Sequence, residues 1–185
     1  MNPELFALSL IEWQLFATLT FKSDKLADAV RIKMFFALMR KQADNFGVHF
    51  KQTIWCLRRE DGELTGRGHL HALIAGFPQH ALTTATCFAF MRIWEQLGGG
   101  MARVHLYGPL LDGVGYVLKG CEAEYQRAGG DFYETQKFWK HCDVMLSESV
   151  FRVLPRPAAN REETPSRTTP GGVRRTPCVR PLCRR

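Results

Sequence analysis

Residues 66–77 read GRGHLHALIAGF, with two histidines one residue apart. In a β-strand, residues i and i+2 share a face at about 7 Å between Cα atoms. His69 and His71 would then present two imidazoles side by side. Neutral imidazole is the commonest metal-binding side chain, yet an HxH pair alone fits core or surface histidines as well. A third group sharpens the reading. Glu60 precedes His69 by nine residues across the short turn EDGELTGRG, so its carboxylate can sit beside the two rings. Glu60 and Glu63 also fit ordinary solvated turn acids. Two imidazoles and one carboxylate with open positions suit a hard or borderline divalent ion that must also grip a phosphate oxygen. Mg²⁺ or Mn²⁺ fits that use, and the ligand types admit Zn²⁺.

A second group with chemistry lies in GVGYVLKG, residues 113–120. Tyr116 and Lys119 stand at i, i+3, on one face of a helix. A tyrosine beside a cation loses its proton more readily and can serve as a covalent nucleophile. The same residues also fit a core tyrosine and a surface lysine.

These groups need elements to hold them. LFATLTF (15–21) alternates in the manner of a strand. Ser23 or Asp24 can cap a helix running to Phe46, with Leu26, Val30, Met34, Phe35 and Leu38 at helical spacing and Gly47 as its stop. Residues 48–59 and 69–77 read as two strands of one long hairpin. A helix is expected over 80–97, opened by Ala81 and Leu82, with Phe88, Met91, Trp94 and Leu97 on one face and GGG after it. MARVHLYG (101–108) alternates as a fourth strand, Tyr116 to Tyr125 reads as helix, and so does 131–150. The order βαββαβα predicts an α+β fold of the ferredoxin-like or RRM-like class, an antiparallel sheet flanked by helices.

Composition sets bounds on partners. Of 25 basic and 18 acidic residues, the stretch from Pro155 to Arg185 holds eight Arg and two Glu. Residues 1–154 are therefore near neutral, with 17 basic and 16 acidic side chains. A basic groove there must come from arrangement rather than bulk charge. The Arg- and Pro-rich stretch 155–185 cannot bury enough surface to offset its ordering entropy and is expected to be a disordered basic tail after a domain at 1–154. No apolar run of membrane-spanning length occurs, and MNPELFALSLIEW lacks a positive n-region. Six scattered cysteines without a CxxC pair point to reduced thiols and a cytoplasmic setting, with Cys56, Cys87 and Cys121 in or near the core.

Taken in order, FATLTF (16–21), Glu60 with HLH (69–71), and YVLK (116–119) resemble the three motifs of the HUH endonucleases of the rolling-circle replication initiator type. The resemblance covers roughly residues 15–125 and implies a five-stranded antiparallel sheet flanked by helices. It implies that Tyr116 attacks a scissile phosphate, leaving a 5′-phosphotyrosine link and a free 3′-OH, with Lys119 positioning or charge-balancing the site. It implies further that Glu60, His69 and His71 hold the ion and that Thr18 and Thr20 line the DNA side. Arg58, Arg59, Arg67 and Lys51 are candidate phosphate contacts on single-stranded or hairpin origin DNA, or ordinary surface charges. The chain carries no P-loop, so a host helicase and polymerase, in a bacterial cytoplasm, are the expected partners. Two other readings stay open: a noncatalytic RRM-like nucleic-acid-binding domain, and an HUH transposase or relaxase. Tyr125 leaves room for a second tyrosine.

Overall fold

The computed structural model describes residues 6, 8–61, 67–108, 110, 113–118 and 144–153. All belong to the first of two units, Met1–Pro155. Glu63, Lys119, Cys121, Tyr125 and the tail from 155 onward lie outside the described residues.

Five strands form one sheet. They are β1 (Leu15–Phe21), β2 (Ile54–Asp61), β3 (Gly68–Ala75), β4 (Gly99–Leu106) and β5 (Val144–Leu146), and they lie in the order β4-β1-β3-β2-β5. Every pairing is antiparallel. Helices α1 (Asp28–Asn45), α2 (Thr84–Gln96), α3 (Gly113–Leu118) and α4 (Val150–Val153) flank the sheet. The architecture is the α+β class expected from the element order.

The period of two assigns each strand residue to a face. Leu15, Ala17 and Leu19 of β1, Trp55 and Leu57 of β2, and Leu70, Ala72 and Ile74 of β3 bury against Phe35, Leu38 and Met39 of α1 and Phe90, Ile93 and Trp94 of α2. On the opposite face, Cys56, Leu73, Val144 and Leu146 pack with Leu8, Trp13, Val150, and Val114 and Val117 of α3. That second core covers only one end of its face. The other end is where the polar residues of β1, β2 and β3 stand.

Several boundaries differ from the sequence reading, each for a local reason. Helix α1 begins at Asp28 behind Ala27, which offers no side-chain cap. Ser23 Oγ instead accepts the Lys25 amide in a local turn. The buried face of α1 is Arg31, Phe35, Leu38 and Met39, and Val30 is exposed. The stop at Gly47 holds: at φ 64° it lets Val48 and Gly47 donate to the Ala43 and Asp44 carbonyls, a Schellman closure that glycine makes without a Cβ penalty. The second strand starts six residues later than expected, because Phe50–Gln52 forms a 3₁₀ turn. The next helix starts at Thr84, where Thr83 accepts the Thr86 amide. That register buries Thr86, Cys87, Phe90, Ile93 and Trp94 and leaves Phe88 64% exposed, off the face assigned to it. Residues 131–143 are outside the described set, but the end of the helix expected over 131–150 is strand β5, paired with β2 through Cys56–Leu146 and Arg58–Val144. Pairing with the open edge of β2 and burial of Val144 and Leu146 outweigh the helix preference of Met145 and Leu146.

Candidate metal centre

The hairpin of β2 and β3 places Glu60 directly opposite His69 and Arg58 opposite His71. On the other side, β1 sets Thr20 opposite His69 and Thr18 opposite His71. Glu60, His69, His71 and Thr18 therefore share one face, three strands wide. Among the described residues, Glu60, His69 and His71 are the group of three whose ligand atoms converge, all within 4.8 Å of one another. They could hold a metal ion.

The two imidazoles are oriented from behind. His69 Nδ1 lies 3.2 Å from the Arg67 carbonyl. A carbonyl only accepts, so Nδ1 carries the proton, and in the neutral ring the lone pair sits on Nε2. That Nε2 is 3.6 Å from Glu60 Oε2. His71 is held by a hydroxyl instead, which can give or take the proton: its Nδ1 lies 3.1 Å from Thr18 Oγ1 and its Nε2 3.3 Å from the same Glu60 oxygen. Its Nε2 is buried without a hydrogen-bond partner. Two ring nitrogens closing on one carboxylate oxygen, one of them orphaned, is what a cation would relieve. Ligands at ~2.1 Å from a common ion stand about 3.0–3.5 Å apart, close to the spacings here. The donor set and the anchored rings fit a divalent ion.

Charge agrees with geometry. Burial pushes the His71 ring down to about 4, helped by His69 and Arg58 and opposed by Glu60. The ring is neutral at physiological pH, the state that binds metal. Burial pushes the Glu60 carboxyl up, but the Tyr116 hydrogen bond and the charges of Arg58, His71 and His69 outweigh it, and the net shift is downward. Glu60 is an anion at neutral pH.

Tyr116 joins this cluster from α3. Its hydroxyl donates to Glu60 Oε2 at 3.0 Å, and its ring stands edge-on to His71 at 4.9 Å between centroids. The residue is 45% exposed and stands beside the three ligands. Arg58, on the same face, donates to the Val117 carbonyl at 3.3 Å and ties the end of α3 to β2.

The remaining sequence candidates are placed differently. Thr18 serves His71 as well as facing outward. Thr20 Oγ1 donates to the Met101 carbonyl at 2.8 Å, where the β1–β4 register shifts between Leu19 and Phe21. Arg59 has the opposite parity in β2 and pairs with Asp28 of α1 on the far face. Arg67 is an exposed side chain 3.6 Å from Asp24. Lys51 precedes the 3₁₀ turn's end, and ~20 Å of strand separates Ile54 from Glu60. Arg59 thus stands beside the cluster but on the opposite face, and Lys51 lies at the other end of β2.

The sequence reading missed one side of the site. Phe16, His105, Tyr107 and Gly113 meet Thr18, His71 and Tyr116 around a cavity of about 370 Å³. Part of the signal was present in MARVHLYG, whose alternation puts His105 and Tyr107 on one side; the pairing of β4 with β1 then sets His105 opposite Phe16. Among the described residues, no helix is long and apolar enough to cross a membrane. Cys56 and Cys87 are buried free thiols.

Compared with protein-family models, with curated proteins and with solved structures, the chain matches none.

Proposed function

We propose that this protein is a metal-dependent endonuclease and strand transferase of the HUH type, which nicks single-stranded or hairpin origin DNA to start rolling-circle replication. One observation carries the reading: a tyrosine hydroxyl lies 3.0 Å from the carboxylate shared by a two-histidine, one-glutamate cluster. A hydroxyl nucleophile and a cation site that close together suit attack on a phosphodiester.

The Tyr116 oxygen attacks the scissile phosphorus in line with the 3′-oxygen. The tyrosine O–P bond forms as the P–O3′ bond breaks, giving a 5′-phosphotyrosine and a free 3′-OH. The hydroxyl gives up its proton and the departing oxygen gains one, so the step is neutral in protons and its reverse rejoins the strand. Glu60, His69 and His71 would hold Mg²⁺ or Mn²⁺, which would supply positive charge to the non-bridging phosphate oxygens. Thr18 and the Arg67 carbonyl keep the two rings aimed. Arg58 keeps α3, and with it Tyr116, against β2. Lys119, three residues after Tyr116, balances charge at the phosphate, and a host helicase opens the duplex while a host polymerase extends the freed 3′ end.

The test is covalent capture. The full chain is incubated with Mn²⁺ and a 3′-labelled pool of randomised single strands, then denatured in SDS. A labelled adduct is expected with the 3′ label and not with a 5′ label. It is expected to vanish in Tyr116→Phe, in His71→Ala and in EDTA. Strand binding without any adduct would instead favour a noncatalytic nucleic-acid-binding domain.

A further inference from the structure

The cavity beside Tyr116 adjoins the cation cluster and has a chemistry of its own. Its walls are mainly the aromatic rings of Phe16, Tyr107 and Tyr116, with His105 and Thr18 as polar groups. At about 370 Å³ it stands at the low end of small-molecule sites. That is room for a single flat ring system and its sugar, not for a stretch of chain. His71 belongs both to this cavity and to the cation cluster, and Tyr116, which also lines the cavity, donates to that cluster's Glu60. A ligand that fills both places must carry a flat, stackable body within one sugar of an anionic group. A nucleotide has that form.

We propose that this cavity is a subsite for one unpaired nucleobase of the DNA strand, the base adjoining the scissile phosphate. The proposal rests on the nuclease reading and deepens it. Aromatic walls hold any base through its π-face, and His105 at the wall offers a donor or acceptor to its edge. Phe16 stands edge-on to Tyr116 at 6.4 Å, so a base seated against Phe16 also bears on the nucleophile's ring. Gly113 closes the link: a Cβ there would come within 2.9 Å of the Tyr107 ring and 3.2 Å of the Phe16 ring. The first turn of α3 thus rests directly on the two aromatic walls. Base occupancy and nucleophile position are coupled through that contact.

The experiment uses the full chain in EDTA, where no cleavage occurs, with oligo(dT) strands carrying a single 2-aminopurine at successive positions. Quenching is expected at one position, where the fluorescent base stacks in the cavity. Tyr107→Ala is expected to weaken fluorescein-labelled oligo(dT) binding about 5- to 100-fold, the range of one lost stacking contact, with Mn²⁺ affinity in separate calorimetry unchanged. Should Tyr107→Ala lose Mn²⁺ binding as well, His105→Trp provides the second variant. His105 is exposed, lines the cavity and stands opposite Phe16, so an indole there occupies the cavity without removing core packing, and the same loss is expected. Uniform fluorescence at every position, or binding within twofold of wild type in the folded variants, overturns the subsite. Adduct formation by wild type with Mn²⁺ is scored in parallel. An adduct without position-specific quenching sinks the subsite alone; quenching without an adduct supports the subsite and sinks the nuclease reading.

Discussion

The Tyr116 hydroxyl donates a 3.0 Å hydrogen bond to Glu60 although 56 residues separate them. The carboxylate that receives it also faces His71 Nε2 at 3.3 Å and His69 Nε2 at 3.6 Å. One anionic oxygen of β2 is therefore the meeting point of three groups from two other elements, β3 and α3, and most consequences for function pass through it.

Tyr116→Phe removes the hydroxyl and keeps the ring against His71 and Phe16. The fold and the Mn²⁺ affinity are expected to survive, while adduct formation falls by ~10³-fold or more, because the hydroxyl seated on the Glu60 carboxylate is gone. SDS gels and calorimetry on the same preparation check both halves. An undiminished adduct would show that another residue attacks.

Thr18→Val deletes the partner of His71 Nδ1 and leaves a side chain of nearly the same volume in β1. Outer partners of metal ligands affect affinity by about 10- to 100-fold, and a loss in that range is expected for Mn²⁺ by calorimetry. Arg59→Ala, on the opposite face with Asp28, is expected to leave Mn²⁺ affinity unchanged.

Metal should also stabilise the fold. An ion that binds the assembled triad and not the unfolded chain adds about 2.7 kcal/mol at a hundredfold excess over its dissociation constant. Thermal unfolding with and without Mn²⁺ is expected to show a rise in Tm for wild type and none for His71→Ala.

Acid should destabilise the apoprotein. His71 titrates near 4 in the folded protein against 6.5 in the unfolded chain. Between those values the unfolded chain binds the extra proton, so stability is fully present above pH 6.5 and is lost as pH falls toward 4. The lowered Glu60 acts in the same direction at lower pH. The His71 share amounts to roughly 3 kcal/mol. Urea unfolding of wild type and His71→Asn at pH 7 and pH 4.5 checks the sign: the variant should lose less stability between them.

Gly99→Ala probes the sheet beneath the site. A Cβ at Gly99 would lie 2.2 Å from Trp94 Nε1, and that indole is fully buried and donates to the Thr20 carbonyl at 2.8 Å. A rigid buried ring cannot swing aside, so overpacking of about 1–3 kcal/mol is expected by urea denaturation.

The amino-acid sequence by itself determined the ligand chemistry and the strand that carries it. Alternation in LFATLTF matches β1 at both ends, because a half-buried strand must repeat every two residues. The short turn after Glu60 confines the hairpin register, and Glu60 does pair with His69. The same parity separates Arg58 from Arg59, so Arg59's turn to the far face was readable from its neighbours. Other features depend on contacts between distant segments. Phe50–Gln52 breaks the strand before it reaches Lys51, and β5 forms where a vacant β2 edge outweighs helix propensity. Only the folded sheet brings Phe16, Thr18, His71, His105, Tyr107 and Tyr116 around one cavity. Local periodicity tells each residue which face it takes. Which residues of other strands and helices it meets there follows from strand order and helix placement, which are set by burial across the whole chain.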